Sequence, residues 1–204
     1  LCKIFRENTG ESPMEYYMEL KIKENIAAFS STLSANSAES LSRAVEAILK
    51  ARRVNIYGIY HSGIVAKDLS FQLIRLGIAA NFVEDTLMCS VSATMLGQDD
   101  LVIAVTSSGR TKEIIDAAKI AKENGATVVS LTCNKFSPMA KLSDVALFSA
   151  SSGMSVSDRA DEIRLSQHMV FDSICAVLRS RIDMGSRENY YRLSHILNSH
   201  SIDD

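Results

Sequence analysis

Five short apolar runs, separated by segments of helical periodicity, constrain the fold of this chain more than any other feature. The runs cover residues 54–59, 78–83, 101–106, 127–132 and 144–148. Several are apolar throughout instead of alternating, as expected of parallel strands covered on both faces. Between the first two, Val65, Leu69, Leu73 and Leu76 trace one helical face, with Gly77 placed as the C-terminal stop. Ile114, Ala117, Ala118 and Ala121 do the same before Gly125. Strand and helix in regular alternation require crossover connections, and right-handed crossovers place helices on both faces of the sheet. The pattern therefore predicts a doubly wound α/β domain from about Arg53 to Ala150, built on a five-stranded parallel sheet of order 2-1-3-4-5 flanked by helices. With 204 residues, 47% of them hydrophobic, the chain can bury such a core and carry extra helices at both ends.

The extra helices are read from spacing. Met18, Ile22, Ile26, Phe29 and Leu33 predict one packing helix, and Leu41, Val45, Ile48 and Leu49 a second after a polar break at 34–40. Beyond the sheet, 149–158 is a small polar connection. Ile163, Val170, Ile174, Val177 and Leu178 mark a long helix, and residues 187–204 predict a short helix with an acidic end.

Two turns carry the chemistry. Gly58-Ile59-Tyr60-His61-Ser62-Gly63 follows the first strand, and Thr106-Ser107-Ser108-Gly109-Arg110-Thr111 follows the third. Each lies where a strand hands over to a helix, so free backbone N–H groups, the positive end of a helix and several hydroxyls can converge on one anion. Gly109 allows close backbone approach. In a sheet of order 2-1-3-4-5 the first and third strands are neighbours and their helices leave toward opposite faces, which opens a ligand crevice between them. Serine and glycine also cap helices and build tight turns without binding anything. Two such turns at one switch point favour a phosphate cradle.

Other signals narrow the function classes. A net charge of −2 supplies no field that would draw the chain as a whole to nucleic acid or an anionic membrane. Cys2, Cys89, Cys133 and Cys175 lie far apart without metal-ligand spacing, so neither a zinc site nor a disulfide framework is expected, and no cofactor is implied. No apolar run approaches the ~20 residues needed to cross a bilayer. The expectation is a cytoplasmic protein with no membrane partner.

The runs VNIYGIYHSGIVAKDLSFQLIRLG and DDLVIAVTSSGRTKEIIDAAKIAKENGATVVSLT, with the later SPMAKLSDVAL, resemble the SIS (sugar isomerase) domain over roughly residues 40–180. The resemblance implies that Ser62, Thr106, Ser107, Ser108 and Thr111 hold the phosphate of a sugar phosphate, whose sugar extends toward a neighbouring subunit. It therefore implies a homodimer or homotetramer. The family often has glycine where Tyr60 stands and serine where Thr106 stands. Thr106 keeps the hydroxyl, whereas Tyr60 narrows the entrance.

Within that family, the stretch from Ala44 to Gly58, Ala66-Lys67-Asp68, and the closing helix with Arg164 and Asp172 are most like the effector domains of RpiR-type transcriptional regulators. Residues 1–23 resemble the tail of a helix-turn-helix unit, of RpiR or AraC type. The implied organisation is a truncated DNA-binding tail over 1–24, a phosphosugar-binding SIS domain over 25–185, and a C-terminal helix and tail over 186–204. Lys3, Arg6, Lys21 and Lys23 face Glu7, Glu11, Glu15, Glu19 and Glu24, so DNA contact would belong to the missing N-terminal domain of a parent protein.

Two functions follow. One is a non-catalytic sensor that reports a sugar phosphate to a transcription factor. The other is an aldose–ketose isomerase, which needs an acid and a base in the pocket. The candidates for that chemistry are His61, beside the first turn, and Glu162, at the start of the long helix. Glu84, Asp85, Arg110, Lys112, His168, His195 and His200 carry weaker signals, and Met88, Met95 and Met154 read as core or interface fillers. The scarcity of acid–base groups favours the sensor.

Overall fold

The computed structural model describes residues 10, 12–150, 160–182, 195, 196 and 199. Two helices precede the sheet: α1 (Pro13–Ala35) and α2 (Ala38–Lys50). The strands and helices that follow are β1 (Arg53–Tyr57), α3 (Tyr60–Arg75), β2 (Ala80–Val83), α4 (Thr86–Ala93), β3 (Asp100–Val105), α5 (Lys112–Glu123), β4 (Thr127–Thr132), α6 (Pro138–Leu142), β5 (Val145–Phe148) and α7 (Ala160–Arg181). The five strands form one all-parallel sheet in the order β2-β1-β3-β4-β5, as the spacing predicts.

Alternate residues of each strand serve opposite faces. Leu101, Ile103 and Val105 of β3 join Val54, Ile56, Val129 and Leu131 in a core covered by α2, α3 and α7. Val102 and Ala104 join Val128 in a second core covered by α4, α5 and α6. β3 is buried along its whole length, which explains why its sequence does not alternate. Helix α3 lies on one face and α5 on the other, so the winding reverses between β1 and β3. Their C-terminal ends sit side by side, with Tyr57 paired to Ala104.

The opposite ends of these strands are fastened by charge. Arg52 and Arg53 each donate to the buried Asp100 carboxylate, at 2.9 Å and 3.2 Å, and the Gly97 N–H donates at 2.9 Å. Burial pushes the Asp100 carboxyl up, but the Gly97, Arg53 and Arg52 bonds outweigh it and hold it below its ordinary value.

Helix α1 starts at a capping box: Ser12 Oγ accepts from Glu15 N–H at 3.3 Å, and Glu15 Oε2 accepts from Ser12 N–H at 2.8 Å. It runs unbroken through residue 24, where the sequence places a domain boundary. Its packing differs from the expected face. Ala28 and Thr32 are buried, whereas Ile22 is 55% and Leu33 70% exposed, with Met18 and Ile26 similarly open. The reason is a polar docking seam on the sheet edge. Asn36, at the helix end, donates to the Phe148 carbonyl at 2.7 Å and accepts from the Phe148 N–H at 2.8 Å. Thr32 Oγ1 accepts from Ala150 N–H at 2.9 Å. These bonds fix which side of α1 faces inward, and small residues occupy it. The expected connection over 151–159, the tail over 187–204 apart from residues 195, 196 and 199, and most of the N-terminal segment before Ser12 lie outside the described residues.

Candidate phosphate-binding site

The two serine-rich turns meet at the C-terminal ends of β1 and β3. Ser62 Oγ and Ser107 Oγ lie 3.2 Å apart and share a hydrogen bond, so the first turn touches the second directly. In the first turn the backbone is drawn tight: a Cβ on Gly58 would stand 2.9 Å from the Ser62 carbonyl oxygen and 3.1 Å from Ala66 Cβ. That closeness turns the chain from β1 into α3 within two residues.

In the second turn the Thr106 and Thr111 hydroxyls are 2.9 Å apart, and Gly109 N–H donates to the Thr106 carbonyl at 3.1 Å. Gly109 has φ +64° and sits against Ser137. Ser108 Oγ accepts from Arg110 N–H at 3.2 Å, and Thr132 Oγ1 donates to the Ser107 carbonyl at 3.2 Å. The hydroxyls are therefore aimed by the backbone and by one another.

The helix starts carry the electrostatics. Helices α1, α2, α4 and α6 are capped by the side chains of Ser12, Ser37, Asp85 and Ser137. The N-cap residues of α3 and α5 are Ile59 and Thr111, and neither makes a side-chain cap bond. Thr111 could cap α5, but its hydroxyl is turned to Thr106 instead. The first-turn N–H groups of both helices are thus left for another acceptor, at the positive ends of two helix dipoles. An anion placed between them would receive several hydrogen bonds at once.

Together these turns line a cavity of about 360 Å³, within the range of small-molecule sites. His61, Ser62, Thr106, Ser107, Ser108 and Thr111 all face it, along with Ile59, Tyr60 and Val105. Helix α7 closes one side with Ile163, Arg164 and Gln167. Gln167 is 1% exposed, and its amide approaches Ser107 Oγ at 3.5 Å. Gln167 was not singled out from the sequence, although a signal existed. Ser166 and Gln167 occupy the helical face that Ile163, Val170 and Ile174 bury, and a polar pair on a buried face needs a purpose.

Glu162 behaves differently from His61. It is 1% exposed and absent from the cavity lining, and its carboxylate lies 4.0 Å from Lys21 Nζ of α1. One step along a helix turns a side chain by ~100°, which carries Glu162 away from the face of Ile163. The weaker candidates are also placed elsewhere. Lys112 pairs with Asp116, and His168 Nδ1 lies 3.3 Å from Asp68. Asp85 caps α4, and Arg110 and Glu84 are exposed outside the cavity. Met88 and Met95 stand exposed rather than filling the core.

The thiols of Cys89 and Cys175 are buried and pushed up to about 12 by that burial. Among the described residues no cluster of three or more His, Cys, Asp or Glu side chains could hold a metal ion. No helix among them is long and apolar enough to cross a membrane.

Residues 47–172 match the family model of the SIS domain, a span that includes both turns and the cavity-lining part of α7. The chain belongs to the SIS family. Among curated proteins, this SIS chain is 37% identical over 148 residues to the HTH-type transcriptional regulator TTE0211 of Caldanaerobacter subterraneus, covering 72% of this chain and 52% of that protein. It is 32% identical over 169 residues to the HTH-type transcriptional regulator YbbH of Bacillus subtilis, covering 82% and 60%. The chain spans about half the length of the curated regulators it matches.

Among solved structures, Vibrio vulnificus NanR complexed with ManNAc-6P superposes with a TM-score of 0.85 at 26% identity, covering 98% of this chain and 74% of that one. The sugar isomerase domain of an RpiR transcription factor from Sphaerobacter thermophilus shares the SIS fold, with a TM-score of 0.76 at 23% identity, covering 85% and 96%.

Proposed function

We propose that this chain is the phosphosugar-binding effector domain of a transcriptional regulator of sugar or amino-sugar metabolism. The observation that carries the proposal is the pair of uncapped helix starts, α3 and α5, converging with Ser62, Thr106, Ser107, Ser108 and Thr111 on one cavity. The likeness to regulators and to NanR in complex with a sugar phosphate supports it.

In this reading the cradle binds the phosphate, and Arg164 and Gln167 hold the sugar side of the cavity. The domain works as a homodimer or homotetramer, with DNA contacted by a helix-turn-helix domain elsewhere in the parent protein. Ligand then acts by population shift, binding one arrangement of the subunits more tightly than the other.

A sensor needs no proton transfer, and His61 is the one imidazole or carboxylate side chain that lines this cavity. Glu162, the partner an isomerase would require, faces Lys21. The test is a thermal-shift screen with sugar phosphates and amino-sugar phosphates, followed by calorimetry and an aldose–ketose turnover assay on each hit. Stabilisation by a sugar phosphate without turnover is expected. Turnover would make the chain an isomerase, and the absence of any binding would remove the cradle.

A further inference from the structure

Tyr60 is the one non-glycine residue with a positive φ among those described, at 52°. The left-handed region is disfavoured for a bulky side chain, and glycine would occupy it without penalty. Such outliers persist where the surroundings enforce them, and they gather at ligand clamps. The surroundings here are the close approach of Gly58 to the Ser62 carbonyl and the 3.1 Å bond from Gly63 N–H to the Ile59 carbonyl, which force the reversal at position 60.

The backbone thus explains the conformation but not the tyrosine. The side chain is 87% exposed, belongs to neither core cluster and makes no hydrogen bond to another described residue. It nevertheless lines the cavity, and no other lining residue is a Phe, Tyr or Trp. Nothing among the described residues offsets the cost of a large residue in this conformation, which points to compensation from something the chain binds.

We infer that Tyr60 is the specificity-determining residue of the site, a conclusion that rests on the phosphosugar reading above. The hydroxyls and helix starts hold the phosphate, and the Tyr60 ring covers the far part of the ligand, stacking on the C–H face of a cyclic sugar. The cradle recognises any phosphate. Tyr60 adds the preference for a ring-shaped phosphosugar over an open-chain one or the bare anion.

Calorimetry on the chain and its Tyr60→Gly, Tyr60→Ala and Tyr60→Phe variants tests this, with inorganic phosphate and a panel of ManNAc-6P, N-acetylglucosamine 6-phosphate, glucose 6-phosphate and ribose 5-phosphate. In Tyr60→Gly, affinity for the tightest sugar phosphate should fall by about five- to tenfold, the loss of one aromatic contact, with phosphate affinity unchanged. Tyr60→Phe should keep the affinity. Tyr60→Gly should melt no lower than the unaltered chain, and Tyr60→Ala should melt below Tyr60→Gly.

Equal sugar-phosphate affinity in Tyr60→Gly overturns the assignment and leaves the cradle standing, as does an unaltered chain that binds every panel sugar no more tightly than phosphate. A parallel loss of phosphate binding makes Tyr60 a support of the cradle, and a change of oligomeric state by sedimentation makes it a subunit contact; either overturns selection. If the unaltered chain binds neither phosphate nor any sugar phosphate, the site reading itself fails and Tyr60 falls with it.

Discussion

Replacing Gly109 by alanine should unfold the second turn's support as well as strain the turn itself. The residue has φ +64°, where alanine is disfavoured by roughly 1 kcal/mol. An added Cβ would stand 2.2 Å from Ser137 Oγ and 2.8 Å from Thr132 Oγ1, far inside any real contact. Ser137 cannot yield freely, because it is fully buried and its hydroxyl caps α6 by accepting from Ala140 N–H at 3.2 Å. Losing a cap costs about 1 kcal/mol, and forcing a buried neighbour aside about 1–3 kcal/mol.

The combined destabilisation is therefore about 3–5 kcal/mol, or roughly 6–20 °C in Tm for a domain of this size. Urea unfolding and scanning fluorimetry of Gly109→Ala measure it. Gly97→Ala is the control: its added Cβ meets nothing within 4 Å, and the change should stay within about 0.5 kcal/mol. A loss below about 1 kcal/mol in Gly109→Ala, or an equal loss in the control, would refute the reasoning.

Four further outcomes are expected. The double variant Ser108→Ala/Thr111→Ala should weaken phosphosugar binding by about 2–3 kcal/mol through lost charge-assisted bonds, and an unchanged calorimetric affinity would count against the cradle. Glu162→Gln should leave phosphosugar affinity unaltered, because its carboxylate faces α1; a tenfold loss would place it in the site. Asn36→Ala should cost about 2–3 kcal/mol in urea unfolding, since it leaves both polar groups of Phe148 without these partners. The Asp100 carboxyl is held below its unfolded value, so it stabilises the fold above about pH 4 and that contribution fades as pH falls through its folded value. Acid unfolding between about pH 2 and 5 should accordingly be shallower in Asp100→Asn, and identical pH profiles would contradict this.

The sheet order and the two turns were legible because they depend on local signals: apolar runs, helical stripes, and hydroxyls with glycine at strand ends. Ser62, Thr106, Ser107, Ser108 and Thr111 fall together because the strand order brings two local motifs into contact. The face of α1 was not legible in the same way. Periodicity shows where apolar residues recur, but the choice of inward face was made by Asn36 and Thr32 bonding to backbone groups more than a hundred residues later. Glu162 and Gln167 show the same limit on α7. Both are buried polar residues on one helix, and only the direction of each side chain separates a contact with Lys21 from a place in the cavity.

The Asn36 side chain gives β5 the neighbour that an outermost strand lacks. Its amide meets both the N–H and the carbonyl of Phe148, as a backbone peptide of a sixth strand would. At that residue the ribbon of strands is sealed, and an extended segment from another molecule finds no free groups to zip onto. Edge-to-edge addition is therefore opposed at the C-terminal end of β5. Exposed apolar side chains lie instead on helical surfaces, where Ile22 and Ile26 of α1 and Leu87 and Val91 of α4 are open.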